Sequence, residues 1–229
     1  IISELNQLII DVDSALDGYN PTDGGRKIES FVDELSNWYV RRSRRRFWKS
    51  ENDADKLSAY TTLYQCLVTL AKLLAPFTPF IAEELYQNLV SSVVLGAVES
   101  VHLTDFPVVD ESRIDSRLSE ANRLAMKISS LGRAARSKAG IKVRQPLESQ
   151  YVSDISEMRR ALDSEAIRQS VLDELNVKAI KFATSAELAA MAANPDYVVD
   201  SVEAASTALY TKLTPELQAE GMAREVVHR

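Results

Sequence analysis

With 229 residues, 45% of them hydrophobic, the chain is long enough to bury a core in one large unit plus a smaller one, which excludes a disordered chain. One cysteine, Cys66, and two histidines, His102 and His228, leave no pair for a structural disulfide and no cluster for zinc, and no run approaches the ~20 apolar residues that span a bilayer. The net charge of −6 argues against a polyanion binding anywhere on the surface, but residues 41–49 carry +6 and residues 121–147 carry seven basic side chains and no acid, so the remainder stands at −19.

The chain opens in mid-pattern, without a starting methionine or a signal-peptide layout, and is expected to be part of a longer polypeptide. Leu5, Leu8, Ile9, Val12 and Leu16 recur at helical spacing before the breaker Gly18 and a loop NPTDGG. A second helix follows with Ile28, Phe31, Val32, Leu35, Trp38 and Tyr39 on one face, the Trp38 ring belonging to the core. A third, after ENDAD, sets Leu57, Tyr60, Tyr64, Leu67, Val68, Ala71 and Leu74 on a stripe and stops before Pro76. Cys66 lies inside it and reads as a small buried hydrophobe. A fourth helix spans about Phe80 to Leu89. A fifth spans about Ser116 to Lys138, with Leu118, Ala121, Leu124, Ala125, Ile128 and Leu131 as its stripe and Gly140 as its cap. Residues 1–140 therefore read as a helical bundle.

From 141 onward the β-favouring runs QYVS, NVKAIKF, DYVVDSV and STALYTKL alternate with helical stretches near 155–174 and 185–193. Residues 141–229 read as a small α/β unit closed by a helix with Thr214 as N-cap and Pro215 at its first position, still running at Arg229. The fold class is mainly α, a bundle followed by a small α/β (α+β) domain.

The densest chemistry lies in LSNWYVRRSRRRFWK, residues 35–49. At 100° per residue the core-facing arc of the second helix continues into Arg42, Arg46 and Lys49, while Arg41, Arg44 and Trp48 share another face. Arginines interleaved with Phe47 and Trp48 suit a backbone-plus-base surface, since guanidinium forks match phosphates and the Trp48 indole can carry an unstacked base, worth ~1–3 kcal/mol. Arg45 completes five arginines in six positions. The alternative is a solvated helix whose arginines pair with Asp33, Glu34, Glu51, Asp53 and Asp55, as in a protein-interaction scaffold.

The second basic segment holds Arg133, Arg136, Lys138, Lys142 and Arg144. Arg136 and Lys138 suit a helix C-terminus through the macrodipole alone. Lys142 and Arg144 lie beyond the cap, and strand-like alternation puts both on one face with Val143 turned to the core. No P-loop, dinucleotide fingerprint, HExxH or Ser/His/Asp set is present.

SNWYVRRSRRRFW, LLAPFTPFIAEELYQNL, SVHLTDFP, GIKVRQPL and LTPELQAEGMARE, in that order, resemble isoleucyl-tRNA synthetases over nearly the whole chain. The second segment alone fits the anticodon-binding bundle of valyl, leucyl and methionyl enzymes too, and the valyl enzyme is the nearest alternative. The resemblance implies an anticodon-binding bundle that grips tRNA(Ile), in a cytoplasmic and monomeric parent whose catalytic and editing domains lie elsewhere. It implies a parent that uses ATP with Mg to activate isoleucine; the His-x-Gly-His and Lys-Met-Ser-Lys-Ser signatures for that step are not in this sequence, so the chain alone is expected to hold no cofactor. Expected tRNA contacts are Arg41, Arg42, Arg44, Arg45, Arg46, Trp48, Lys49, Arg133, Arg136, Lys138, Lys142 and Arg144, with Gln145 the side chain best suited to a base edge.

Overall fold

A computed structural model describes residues 1–202 and 205–227, so His228 and Arg229 lie outside the described residues. Contacts divide the chain into two compact units, Ile1–Ser116 and Arg117–Arg229.

The first unit is helical: α1 (Ile2–Asp17), α2 (Pro21–Glu34), a π-helical segment (Leu35–Val40), α3 (Arg41–Trp48), α4 (Ala54–Leu74) and α5 (Pro79–Tyr86), the last extended by a second π segment (Gln87–Ser91). Leu5, Leu8, Ile9 and Val12 of α1 meet Ile28 and Phe31 of α2, Leu35, and Cys66, Leu70 and Leu73 of α4 in one apolar core. Cys66 is fully buried there, and burial pushes its thiol up to about 11, so it is an inert hydrophobe.

Two expectations for this unit are corrected. The stretch NPTDGG is not a loop but the start of α2: Asn20 caps it by accepting from the Asp23 N–H at 3.2 Å, and Pro21 sits at the first position. Glycine suits position 24 because a Cβ there would meet the Phe77 ring at 3.0 Å. The core face of α4 is Ala59, Cys66, Leu70, Ala71 and Leu73, whereas Leu57, Tyr60 and Tyr64 are exposed. The helix is apolar on two sides, and the tyrosines take the wetter one because their hydroxyls reach carbonyls there: Tyr60 donates to Phe47 O at 3.3 Å and Tyr64 to Leu89 O at 3.0 Å.

The second unit carries α6 (Ser116–Lys138), β1 (Leu147–Ser153), α7 (Ser156–Leu162), α8 (Glu165–Leu175), β2 (Val177–Ala183), α9 (Ser185–Ala192), β3 (Tyr197–Val202), β4 (Ala205–Tyr210) and α10 (Pro215–Val227). All four β-favouring runs are strands, in the order β2-β1-β4-β3, with β1 and β2 parallel and the other two pairings antiparallel. The parallel pair is joined through α7 and α8, as a parallel connection requires.

The sequence puts the division at 140, whereas contacts group α6 with the sheet. Gly132 lies so close to Leu175 that a Cβ would meet its side chain at 2.6 Å, and Arg136 donates from Nε to Leu175 O at 2.9 Å. Small residues at Ala125, Ser129, Gly132 and Ala135 allow that approach. Gly140, at φ +67°, takes the left-handed turn beyond α6, and the Ile141 N–H returns to Arg136 O at 3.0 Å.

Candidate nucleic-acid interface

The π segment Leu35–Val40 decides which way the arginines of α3 point. A π turn holds about one residue more than an α turn, so every later side chain is displaced by roughly 100° relative to an unbroken helix. The arc expected to run through Arg42 and Arg46 instead buries Ser43 and Phe47, one residue further along. Phe47 packs edge-on against Tyr60 at 5.0 Å and Tyr39 at 6.4 Å between ring centroids, so it is a core residue rather than a stacking platform.

Relieved of the core, the arginines spread over the surface. Arg41, Arg42, Arg44 and Arg45 are exposed, and Arg46 and Lys49 are half-buried. Arg46 donates from Nε to Asp55 at 2.8 Å; Lys49 binds Asp53 at 2.6 Å and Asp55 at 3.0 Å. Those contacts raise the Lys49 pKa, the Asp53 bond first, and hold both aspartates below the usual carboxylate range. Arg46 and Lys49 thus fasten the end of α3 to the start of α4.

Arg44 and Arg45 differ: among the described residues neither is paired with a carboxylate. The guanidinium of Arg44 lies 5.2 Å from the Trp48 ring centre, and that indole is 73% exposed. Arg42 stands 4.7 Å over Trp38, which is half-buried and roots it. Burial and then the Arg44 charge lower the Arg41 pKa, and its guanidinium stays cationic throughout the physiological range. Crowding like charges costs free energy unless an anion is supplied. The helix therefore presents four exposed cations, of which Arg44 lies against an exposed indole.

In the second basic segment the expected set divides. Arg133 is tied to Glu174, Lys138 to Asp200 at 2.8 Å and Lys142 to Glu225 at 2.7 Å. Arg136 is corrected outright: it is 1% exposed, and its donors end on carbonyl oxygens of Leu175, Asn176, Lys142 and Gln145. Burial takes its pKa down to about 10. Gln145 is half-buried and its amide donates inward to Leu217 O at 2.7 Å and Pro146 O at 3.0 Å, so it offers no donor to a base edge.

Residues 142–145 are not extended either. The Gln145 N–H bonds Lys142 O at 3.0 Å, closing a turn that leaves Val143 53% exposed rather than in the core. Arg144 is exposed on that turn. Sequence reasoning missed Asn176, which organises it; the only local signal was an asparagine between a helical and a β-favouring run, a residue that adopts left-handed φ readily.

Residues 1–151 match a family described as the anticodon-binding domain of tRNA ligase. Over its full length the chain is 60% identical to an isoleucine-tRNA ligase of Dehalococcoides mccartyi (strain CBDB1), of which it covers 22%. Over 80% of the chain it is 50% identical to an isoleucine-tRNA ligase of Clostridium acetobutylicum and 48% identical to one of Porphyromonas gingivalis, covering 17% and 16% of them. The chain spans about a fifth of the length of the curated relatives it matches.

Proposed function

This chain belongs to the family of anticodon-binding domains of tRNA ligases, and from that premise we propose that it grips the anticodon arm of an isoleucine tRNA as part of an isoleucine-tRNA ligase. The observation that carries the reading is the face of α3, where Arg44 and Arg45 stand exposed without a carboxylate beside an exposed Trp48. Exposed guanidinium groups exchange water and small ions for phosphate oxygens at little desolvation cost, and bidentate geometry fixes the register of the strand. Arg41, Arg42, Arg44 and Arg45 take the RNA backbone, and the Trp48 ring, backed by Arg44, receives an unstacked base, a contact worth ~1–3 kcal/mol.

The roles of Arg46, Lys49, Arg133 and Lys138 are mainly structural, because acids of the same chain already hold them. Activation of isoleucine, with ATP and magnesium, falls to parts of the ligase outside this chain, which acts in the cytoplasm on tRNA delivered to a monomeric enzyme.

Replacing Arg44 and Arg45 together by glutamate tests the reading. Two lost phosphate contacts reduce the slope of log affinity against log salt by about 2 and weaken binding more than about tenfold near 0.1 M salt. Unchanged affinity in a folded variant would remove α3 from the interface.

A further inference from the structure

The turn after α6 is gripped from inside at every carbonyl. Arg136 Nη1 donates to Lys142 O at 3.2 Å and to Gln145 O at 2.9 Å, and Asn176 Nδ2 donates to Val143 O at 3.1 Å and to Arg144 O at 2.9 Å. Two side chains thus hold four successive oxygens.

Both holders are themselves fixed. Arg136 Nη2 donates to Asn176 O at 3.0 Å, and Asn176 ends α8 in the left-handed region at φ 50°, with its Oδ1 accepting from Arg224 at 2.7 Å. Among the described residues Arg136 holds a buried charge with carbonyls alone as partners, an arrangement costly enough in desolvation that apolar packing of the same volume would serve stability as well or better. What the apolar alternative lacks is a hold on the turn.

The outward side of the turn is correspondingly cationic. With its oxygens drawn inward, the turn directs Lys142, Val143 and Arg144 to solvent; Arg144 has no carboxylate partner among the described residues, and Lys142 touches Glu225 only in an exposed pair. No peptide here is cis, and C=O and N–H of a trans peptide point oppositely, so the Val143 and Arg144 N–H groups face away from Arg136 and Asn176. Two cations and two amide dipoles with their positive ends outward form a surface for an anion, on a chain whose net charge is −6.

We propose that residues 142–145 form a pre-organised contact for the tRNA phosphate backbone, in which Arg144 touches the phosphate and Asn176 and Arg136 are positioning residues. This rests on the reading of the chain as a tRNA-binding region. The gain lies in the entropy already removed from the loop before the ligand arrives.

Asn176→Gly is the direct test, because glycine accepts φ 50° freely and the substitution removes the amide without backbone strain. Asn176→Asp is the second variant, of equal size, keeping an acceptor for Arg224 but losing both N–H donors to the turn. Affinity of the 229-residue chain for an isoleucine tRNA transcript is measured against salt for both, for Arg144→Ala and for the double variants. Arg144→Ala is expected to lower the salt slope by about one, and each Asn176 variant to weaken binding about threefold or more. In either Asn176 background Arg144→Ala then has little left to remove. A purely structural asparagine would lower the melting temperature and leave the slope untouched, which overturns the proposal, as does full multiplication of the two losses. A wild-type chain that binds with no salt dependence defeats the tRNA reading itself and this proposal with it, whereas salt-dependent binding indifferent to Arg144→Ala defeats this proposal alone.

Discussion

Substituting Phe47 and Trp48 separately by alanine tests the wide turn that aims α3. The neighbours have opposite environments: Phe47 is 7% exposed and engaged by Tyr39 and Tyr60, whereas Trp48 is 73% exposed. Truncating a buried phenylalanine costs ~3–5 kcal/mol, of which each edge-to-face ring pair accounts for ~0.5–1.5. Phe47→Ala should therefore cost about 3–4 kcal/mol, a large part of a typical domain's stability of ~5–15 kcal/mol. Trp48→Ala should stay within about 0.5 kcal/mol, as surface changes do. In an unbroken α-helix Phe47 would instead sit about 160° from the core direction set by Phe31, and its loss would be mild. Urea unfolding followed by tryptophan fluorescence reads this unit selectively, since both tryptophans, Trp38 and Trp48, lie in it and Trp38 survives either substitution. Equal costs, or a larger one for Trp48, would refute the displaced register.

Two further predictions concern close packing and pH. Gly132→Ala should destabilise by about 1–2 kcal/mol although alanine favours helices, because its Cβ would meet Leu175 side-chain atoms at 2.6 and 2.7 Å, while Gly25→Ala, whose nearest contact is Phe77 at 4.0 Å, should stabilise by ~0.5–1 kcal/mol; paired urea curves decide both. The Glu83 carboxylate accepts from the Gln87 amide, the Ser100 hydroxyl and the Val101 N–H, which together hold it below the ordinary glutamate value. Since the folded pKa is the lower one, its stabilisation is present above the unfolded value near ~4.3 and is lost as pH falls through the folded value. Acid unfolding curves of the wild type and Glu83→Gln should therefore converge as pH falls from the unfolded value through the lower folded one, and a gap that stayed constant down to acid would contradict the assignment.

Much of this was legible in the sequence, for identifiable reasons. The four strands announce themselves because β-branched and aromatic residues cluster in QYVS, NVKAIKF, DYVVDSV and STALYTKL, and Thr214-Pro215 marks α10, where Leu217 N–H bonds Thr214 Oγ1 at 3.3 Å. The density of arginine in α3 likewise drew the site. Its aim did not follow from a constant 100° step, since one wide turn at Leu35–Val40 moves the buried position from Arg46 to Phe47. On α4 both sides were apolar, and only the carbonyls within reach of Tyr60 and Tyr64 decided which was wet. The fates of Arg136 and Gln145 depended on partners in β- and helix-flanking segments far along the chain, Asn176 and Leu217, which no local pattern announces.

The role proposed for this chain is to read an isoleucine tRNA through exposed cations. The most direct measurement is binding of the chain to an isoleucine tRNA transcript, and to the same transcript with its anticodon changed, across ~50–200 mM salt. With about six phosphates engaged, affinity should fall ~10³-fold or more over that range and favour the isoleucine anticodon throughout. Absence of binding at the lowest salt, or a flat salt dependence, would contradict it.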